Sequence, residues 1–167
     1  MNLKSLTLLF VGLLFACTSA YAQERIAESG MKWYSLEEAQ KIAKEEGKKV
    51  LIFGYAEWCT YCRKMRREVY PDSTLQSTIY DYYVPVELNS ESDEDVVFNG
   101  QKIKGMELAR YLRLTSLPTH YFVDSEGKIL GAQPGFLPQE VFDPLLRYVG
   151  TDSFGTMDFE KFMEGNQ

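Results

Sequence analysis

The unbroken apolar run Val50-Leu51-Ile52-Phe53-Gly54-Tyr55-Ala56 leads through Glu57 and Trp58 into Cys59-Thr60-Tyr61-Cys62. A strand with one wet face alternates polar and apolar residues; a run without alternation reads as a strand covered on both faces. Such a strand needs helices above and below it, so this segment points to a layered α/β domain. It also delivers two cysteines to one end of the buried strand.

The flanking segments supply those layers. Ser35-Leu36-Glu37-Glu38 has the capping-box pattern, Leu36, Ala39, Ile42 and Ala43 recur at helical spacing, and Gly47 supplies the stop. After the cysteines, Cys62, Met65 and Val69 mark one helical face, with Arg63, Lys64, Arg66 and Arg67 expected to face outward and Pro71 ending the helix. Leu75 and Ile79 suggest a further short helix. Residues 82–88 read as a strand, and Pro85, which has no N–H to donate, assigns it to a sheet edge. Residues 90–105 are acidic and irregular, with a small hairpin around Val96-Val97-Phe98, and 106–112 form a short helix. Strands at 119–123 and 128–131 flank the turn Asp124-Ser125-Glu126-Gly127. Pro138 opens the last main helix, with Val141, Phe142, Leu145 and Val149 on one face and Gly150 closing it; a tail helix is expected over 157–163. This order predicts a central mixed sheet of about four strands with helices on both faces.

A chain of 167 residues suits one domain with a real core. Its formal net charge of -6 argues against binding a phosphate backbone, so nucleic acid is excluded as a partner. The amino terminus is a separate object. Lys4, the apolar stretch from Leu6 to Ala16 and Ala20-Tyr21-Ala22 read as a secretory signal peptide over 1–22, cleaved before Gln23. A second reading makes Cys17 a lipidated anchor, which bulky Phe15 fits badly. Residues 23–32 are expected to be a flexible segment, 33–150 the folded domain and 151–167 the helical tail.

Cleavage leaves Cys59 and Cys62 as the mature cysteines. In an oxidising compartment an even pair predicts a disulfide. A structural staple closes a sizeable loop, and this pair closes almost none. With Cys59 at the mouth of a helix, free N–H groups and the helix dipole favour its thiolate, the attacking species; Cys62, one turn deeper, is placed to resolve a mixed disulfide. Solvated charges on the helix face are the plain reading of Arg63 and Arg66.

The segment Ala56-Glu57-Trp58-Cys59-Thr60-Tyr61-Cys62-Arg63 resembles the active-site segment of the thioredoxins, and Leu117-Pro118-Thr119 resembles that family's cis-proline loop. The resemblance spans about residues 33–149 and implies a thioredoxin-like fold and thiol–disulfide exchange. It also implies a substrate-binding loop set of Trp58, Thr60, Tyr61, Leu117, Pro118 and Thr119. The nearest subgroup is the exported, SoxW-like thioredoxins, to which Cys62-x-x-Met65, Pro85-Val86, Pro134-Gly135-Phe136-Leu137-Pro138 and the insert between Asn89 and Met106 are similar. Two departures stand out. Thr60-Tyr61 replaces the family's Gly-Pro between the cysteines, which leaves the direction of electron flow open. Phe53 stands where the family places a buried acid; Glu87 and Glu57 are the candidate substitutes for a proton relay, beside the plain reading of exposed carboxylates.

Other chemistries are less well served. One cysteine pair and His120 fall short of a zinc site, and His120 reads as a packed or surface strand residue. Glu91, Asp93, Glu94 and Asp95 lack the glycine and distal Glu of a calcium loop, so no metal is expected. The expectation is therefore a monomeric, periplasmic thiol–disulfide oxidoreductase, more specifically a reductase. It needs no cofactor beyond the Cys59-Cys62 disulfide. Its partners are protein or small-molecule disulfides and thiols, and a membrane electron donor such as a thiol–disulfide transporter recharges it. Oxidase or isomerase activity through the same pair is the alternative, and a non-catalytic binding or chaperone module is another.

Overall fold

The computed structural model describes residues 30–165. The signal segment, Cys17 and residues 23–29 lie outside the described residues.

In chain order the elements are α1 (Leu36–Glu46), β1 (Lys49–Tyr55), α2 (Thr60–Lys64), a π-helical segment (Met65–Val69), α3 (Ser73–Tyr82) and β2 (Tyr83–Asn89). They continue with β3 (Asp95–Phe98), β4 (Gln101–Lys104), α4 (Gly105–Tyr111), β5 (Thr119–Val123), β6 (Ile129–Pro134), α5 (Gln139–Gly150), a short 3-10 turn (Ser153–Gly155) and α6 (Phe159–Glu164). The capping box forms as expected: the Glu38 N–H donates to the Ser35 hydroxyl and the Ser35 N–H to the Glu38 carboxylate. At the other end of α1, Gly47 sits in the left-handed region at φ 67°, which costs glycine little, and turns the chain into β1.

Four strands form one sheet in the order β2-β1-β5-β6, with β1 parallel to β2 and antiparallel to β5, and β6 antiparallel to β5. β3 and β4 form a separate hairpin. β1 is central and buried on both faces, as its apolar run requires. Leu51 and Phe53 face a cluster with Cys62, Met65, Tyr70, Ile79, Phe142 and Leu146, under α2, α3 and α5. Val50 and Ile52 face the opposite cluster, with Leu36, Ala39 and Ala43 of α1 and Leu108 and Ala109 of α4. Each large apolar side chain so enclosed contributes about 1.5–3 kcal/mol. β2 is an edge of the sheet, as Pro85 predicts; beyond it Tyr34 adds one parallel bridge, its N–H donating to the Pro85 carbonyl at 3.0 Å.

Several details differ from the sequence reading. Met31 lies in the core and the Lys32 N–H donates to the Tyr80 hydroxyl at 2.8 Å, so the folded body begins before residue 33. In α5 the buried stripe is Phe142, Leu146 and Val149, while Val141 is exposed and Leu145 partly buried. The tail helix α6 docks Phe159 and Phe162 against the Tyr148 ring, whose hydroxyl donates to the Met157 carbonyl. Arg66 does not face outward. The register that sets Glu87 opposite Phe53 draws its guanidinium in.

Candidate active site

β1 delivers the chain to a tight turn in which the Cys59 N–H donates to the Ala56 carbonyl at 3.1 Å. Cys59 is the N-cap of α2: its Sγ accepts the Cys62 N–H at 3.1 Å, and the two sulfurs are joined in a disulfide with Cα atoms 5.2 Å apart. The Arg63 guanidinium clamps the turn, donating to the Glu57 carbonyl at 2.7 Å and the Thr60 hydroxyl at 3.2 Å. Cys59 is 4% exposed and Cys62 fully buried. Of the pair, only Cys59 therefore keeps any exposed surface. After reduction, the N–H already meeting Sγ of Cys59 favours a thiolate there. Past Lys64 the helix widens into the π-helical segment, whose last turn has the Tyr70 N–H reaching the Met65 carbonyl at 3.0 Å. That wider turn brings Met65, Val69 and Tyr70 inward together beneath the cysteines.

The Leu117–Pro118 bond is cis. Thr119 lies opposite Gly54 in the β1–β5 ladder, so this loop reaches the end of β1 from which Cys59 follows. A Cβ on Gly54 would stand 2.8 Å from Leu114 Cδ2 and 3.3 Å from the Thr119 carbonyl oxygen, so a larger residue there would require the Leu114 side chain and the Thr119 carbonyl to shift. The Pro118 carbonyl accepts the Gly135 N–H at 2.8 Å, and the Thr119 hydroxyl donates to the Ser116 carbonyl at 2.8 Å. Leu117 and Phe136 pack on the cluster that holds both cysteines. Pro118 and Thr119 are buried.

Two exposed aromatics flank the disulfide. Trp58 is 64% exposed, its indole N–H donating to the Glu91 carboxylate at 3.0 Å. Tyr61 is 59% exposed, its ring centre 6.0 Å from that of Phe136, over which Lys64 places its ammonium at 4.6 Å. Thr60 is exposed between them.

Phe53 fills the floor, ringed by Trp33, Tyr55, Tyr70 and His120. Of the two relay candidates, Glu87 is brought beside Phe53, where its carboxylate meets Arg66 Nε at 2.9 Å. Glu57 is exposed. The Arg66 guanidinium lies 4.0 Å from the centre of the Tyr55 ring, and burial raises the Tyr55 hydroxyl pKa. His120 is fully buried, its Nε2 2.8 Å from the Tyr70 hydroxyl and its ring 4.4 Å from that of Phe142. Burial pushes the imidazole pKa down to about 3 and the Tyr70 hydroxyl well up. Asp95 is engaged by Lys102 at 2.8 Å and Lys104 at 2.6 Å, which hold its carboxyl down to about 2.

Sequence reasoning missed the Trp58–Glu91 and Arg66–Glu87 pairs, which join residues far apart in the chain. The sequence carried only part of the signal: an Arg one helical turn beyond Cys62, and an acidic insert after the second strand.

Residues 36–150 match the thioredoxin-like domain. The chain belongs to that family. The disulfide bond reductase DsbH of Chlamydia pneumoniae is 32% identical over 118 residues, 68% of this chain and 68% of that protein. The thiol:disulfide interchange protein DsbD of Actinobacillus pleuropneumoniae is 30% identical over 112 residues, 65% of this chain but 18% of that protein. The chain thus corresponds to a small part of DsbD. Among solved structures, a thioredoxin from Thermus thermophilus superposes with a TM-score of 0.59 at 28% identity, covering 71% of this chain and 86% of that one. In this thioredoxin-like domain the cysteine pair, the cis-proline loop and the helix cap stand together at one end of β1. None of these three relatives is named as a SoxW-like protein.

Proposed function

We propose that this thiol–disulfide oxidoreductase works as a reductase outside the cytoplasm, in the periplasm. The observation that carries the exchange chemistry is the asymmetry of the pair: Cys59 caps α2 and keeps a small exposed surface, while Cys62 is sealed beneath it. In the reduced protein the Cys59 thiolate attacks one sulfur of a partner disulfide. A Cys59–partner bond forms, and the partner's other sulfur leaves as a thiolate. Cys62 then gives up its proton and attacks Cys59 Sγ, which releases the partner's second thiolate and closes the Cys59–Cys62 disulfide. Two electrons pass to the partner, which takes up two protons from solvent. The electrons reside on the cysteines themselves, so no further cofactor is needed.

The reducing direction is supported by the relationship to DsbH, named a disulfide bond reductase. The relationship to part of DsbD supports a membrane thiol–disulfide transporter as the donor that recharges the pair. Trp58, Tyr61 and the 117–119 loop bound the space in which the partner segment lies. Glu87 and Glu57 are the carboxylates open to testing as proton relays for Cys62.

The deciding measurement is the reduction potential of the pair in glutathione or dithiothreitol buffers. A value near thioredoxin's, about -270 mV, supports the reductase, and one near about -120 mV assigns the chain as an oxidant.

A further inference from the structure

His120, the sole histidine of the chain, leaves one nitrogen unsatisfied in the core. Its Nε2 meets the Tyr70 hydroxyl at 2.8 Å, while Nδ1 is buried with no hydrogen-bond partner among the described residues. Burial pushes its pKa down to about 3, so the ring is neutral and carries a single N–H. The fully buried Tyr70 hydroxyl has no second partner among the described residues. With the ring proton on Nε2, that N–H donates to Tyr70 and two groups are left over, the hydroxyl proton and the Nδ1 lone pair. With Tyr70 donating to Nε2, a single group is left over: an Nδ1–H donor.

This donor sits in the wall of the redox site. The ring stands 5.4 Å from Phe53, 6.3 Å from Tyr70 and 4.4 Å from Phe142, all members of the buried cluster that holds Cys59 and Cys62. It follows the cis-proline loop by two residues, and the Tyr70 N–H is bonded to Met65 in the helix that carries Cys62. The ionisable groups nearby are engaged elsewhere. Arg66 and Glu87 pair at 2.9 Å with the Tyr55 ring beneath the guanidinium, and Asp143 and Arg147 bind each other and Thr78. The disulfide places no anion in this cluster. Reduction creates one, on Cys62.

Resting on the oxidoreductase reading, we infer that the His120 Nδ1–H, unpartnered in the oxidised protein, hydrogen-bonds the Cys62 thiolate of the reduced one. A donor to the charged form lowers a thiol's pKa, and a bond to an anion is stronger than one to a neutral group. When Cys62 attacks Cys59 Sγ, its thiol proton having gone to solvent, the N–H holds the attacking sulfur as thiolate. The charge passes to the departing partner sulfur as the disulfide closes, and the donor is orphaned again. In recharging, a donor thiolate attacks Cys59 Sγ and Cys62 leaves as a thiolate onto the same N–H. His120 keeps its proton throughout.

A single histidine makes the test direct: nitrogen NMR of the chain labelled at its histidine ring, oxidised and then reduced with dithiothreitol. Nδ1 is expected to carry the proton in both states, and that proton to move downfield on reduction. In the Cys59→Ala chain it is expected to titrate with the same midpoint as the Cys62 thiolate absorbance. Adding His120→Phe is expected to raise that midpoint by about 1 or more. His120→Asn, whose amide N–H stands as many bonds from the backbone as Nδ1, is expected to lie nearer the parent. With both cysteines present, His120→Phe is expected to slow closure of the mixed disulfide about threefold at neutral pH, the lost thiolate being partly offset by greater nucleophilicity. A proton on Nε2, an Nδ1 signal indifferent to Cys62 ionisation, as a bond to enclosed water would give, or an unchanged midpoint in His120→Phe overturns the inference while exchange itself proceeds. Failure of the reduced parent chain to reduce a peptide disulfide overturns the oxidoreductase reading instead.

Discussion

The Trp58 indole N–H donates to the Glu91 carboxylate at 3.0 Å, so the acidic insert after β2 holds the residue that immediately precedes Cys59. The insert is itself pinned: the Glu91 N–H donates to Asn89 Oδ1 at 3.0 Å and the Ser90 N–H to the Tyr55 carbonyl at 2.8 Å. One rim of the active site is thus built by a segment more than thirty residues away in the chain.

Glu91→Ala frees the indole. Both partners are exposed, so stability is expected to change by no more than about 0.5 kcal/mol. In a Trp33→Phe background, acrylamide quenching of Trp58 fluorescence is expected to rise. Unchanged quenching would show that the pair does not hold the ring.

His120 introduces a pH dependence. Its pKa is about 3 in the fold against 6.5 as the ordinary value, so below pH 6.5 the unfolded chain takes up a proton that the native state refuses. The stability present above pH 6.5 is therefore lost as pH falls toward 3. From about pH 7 to about pH 5 the chain is expected to lose about 1–2 kcal/mol more than His120→Phe, read from urea midpoints. Equal losses would show that the imidazole is not buried and neutral.

Arg66 and Glu87 are mostly buried and mutually dependent. Glu87→Gln leaves the guanidinium without its counter-charge and is expected to cost roughly 1–2 kcal/mol in chemical denaturation. Because that carboxylate is occupied by Arg66, the rate of the Cys62 step and its pH profile are expected to change little. A resolving step slowed tenfold or more, with a shifted profile, would make Glu87 the proton relay.

Local patterns made much of this molecule legible in its residues. The capping box at Ser35, the run into Cys59 and the proline-marked edge at Pro85 each follow from interactions within a few positions. The features that escaped, or that were left between two readings as His120 was between packed and surface, depend on register between distant segments. Arg66 turns inward because parallel pairing sets Glu87 opposite Phe53, and His120 turns inward because antiparallel pairing sets it opposite Phe53 from the other side. The π-helical turn was invisible because Cys62, Met65 and Val69 fit an ordinary helix equally well. Met31 joins the core from a stretch whose composition is polar. At the site, the cysteines could be found from their position after the strand, whereas the cis bond at Pro118 was accessible through family resemblance alone.

The central claim is that Cys59 attacks and Cys62 resolves. Its most direct test is trapping. The Cys62→Ala chain, reduced and then mixed with a protein disulfide such as insulin, is expected to accumulate a mixed disulfide through Cys59, identified by mass spectrometry of the linked peptides. Cys59→Ala is expected to yield none. No adduct on Cys59, or trapping through Cys62 that is equally efficient, would contradict the account.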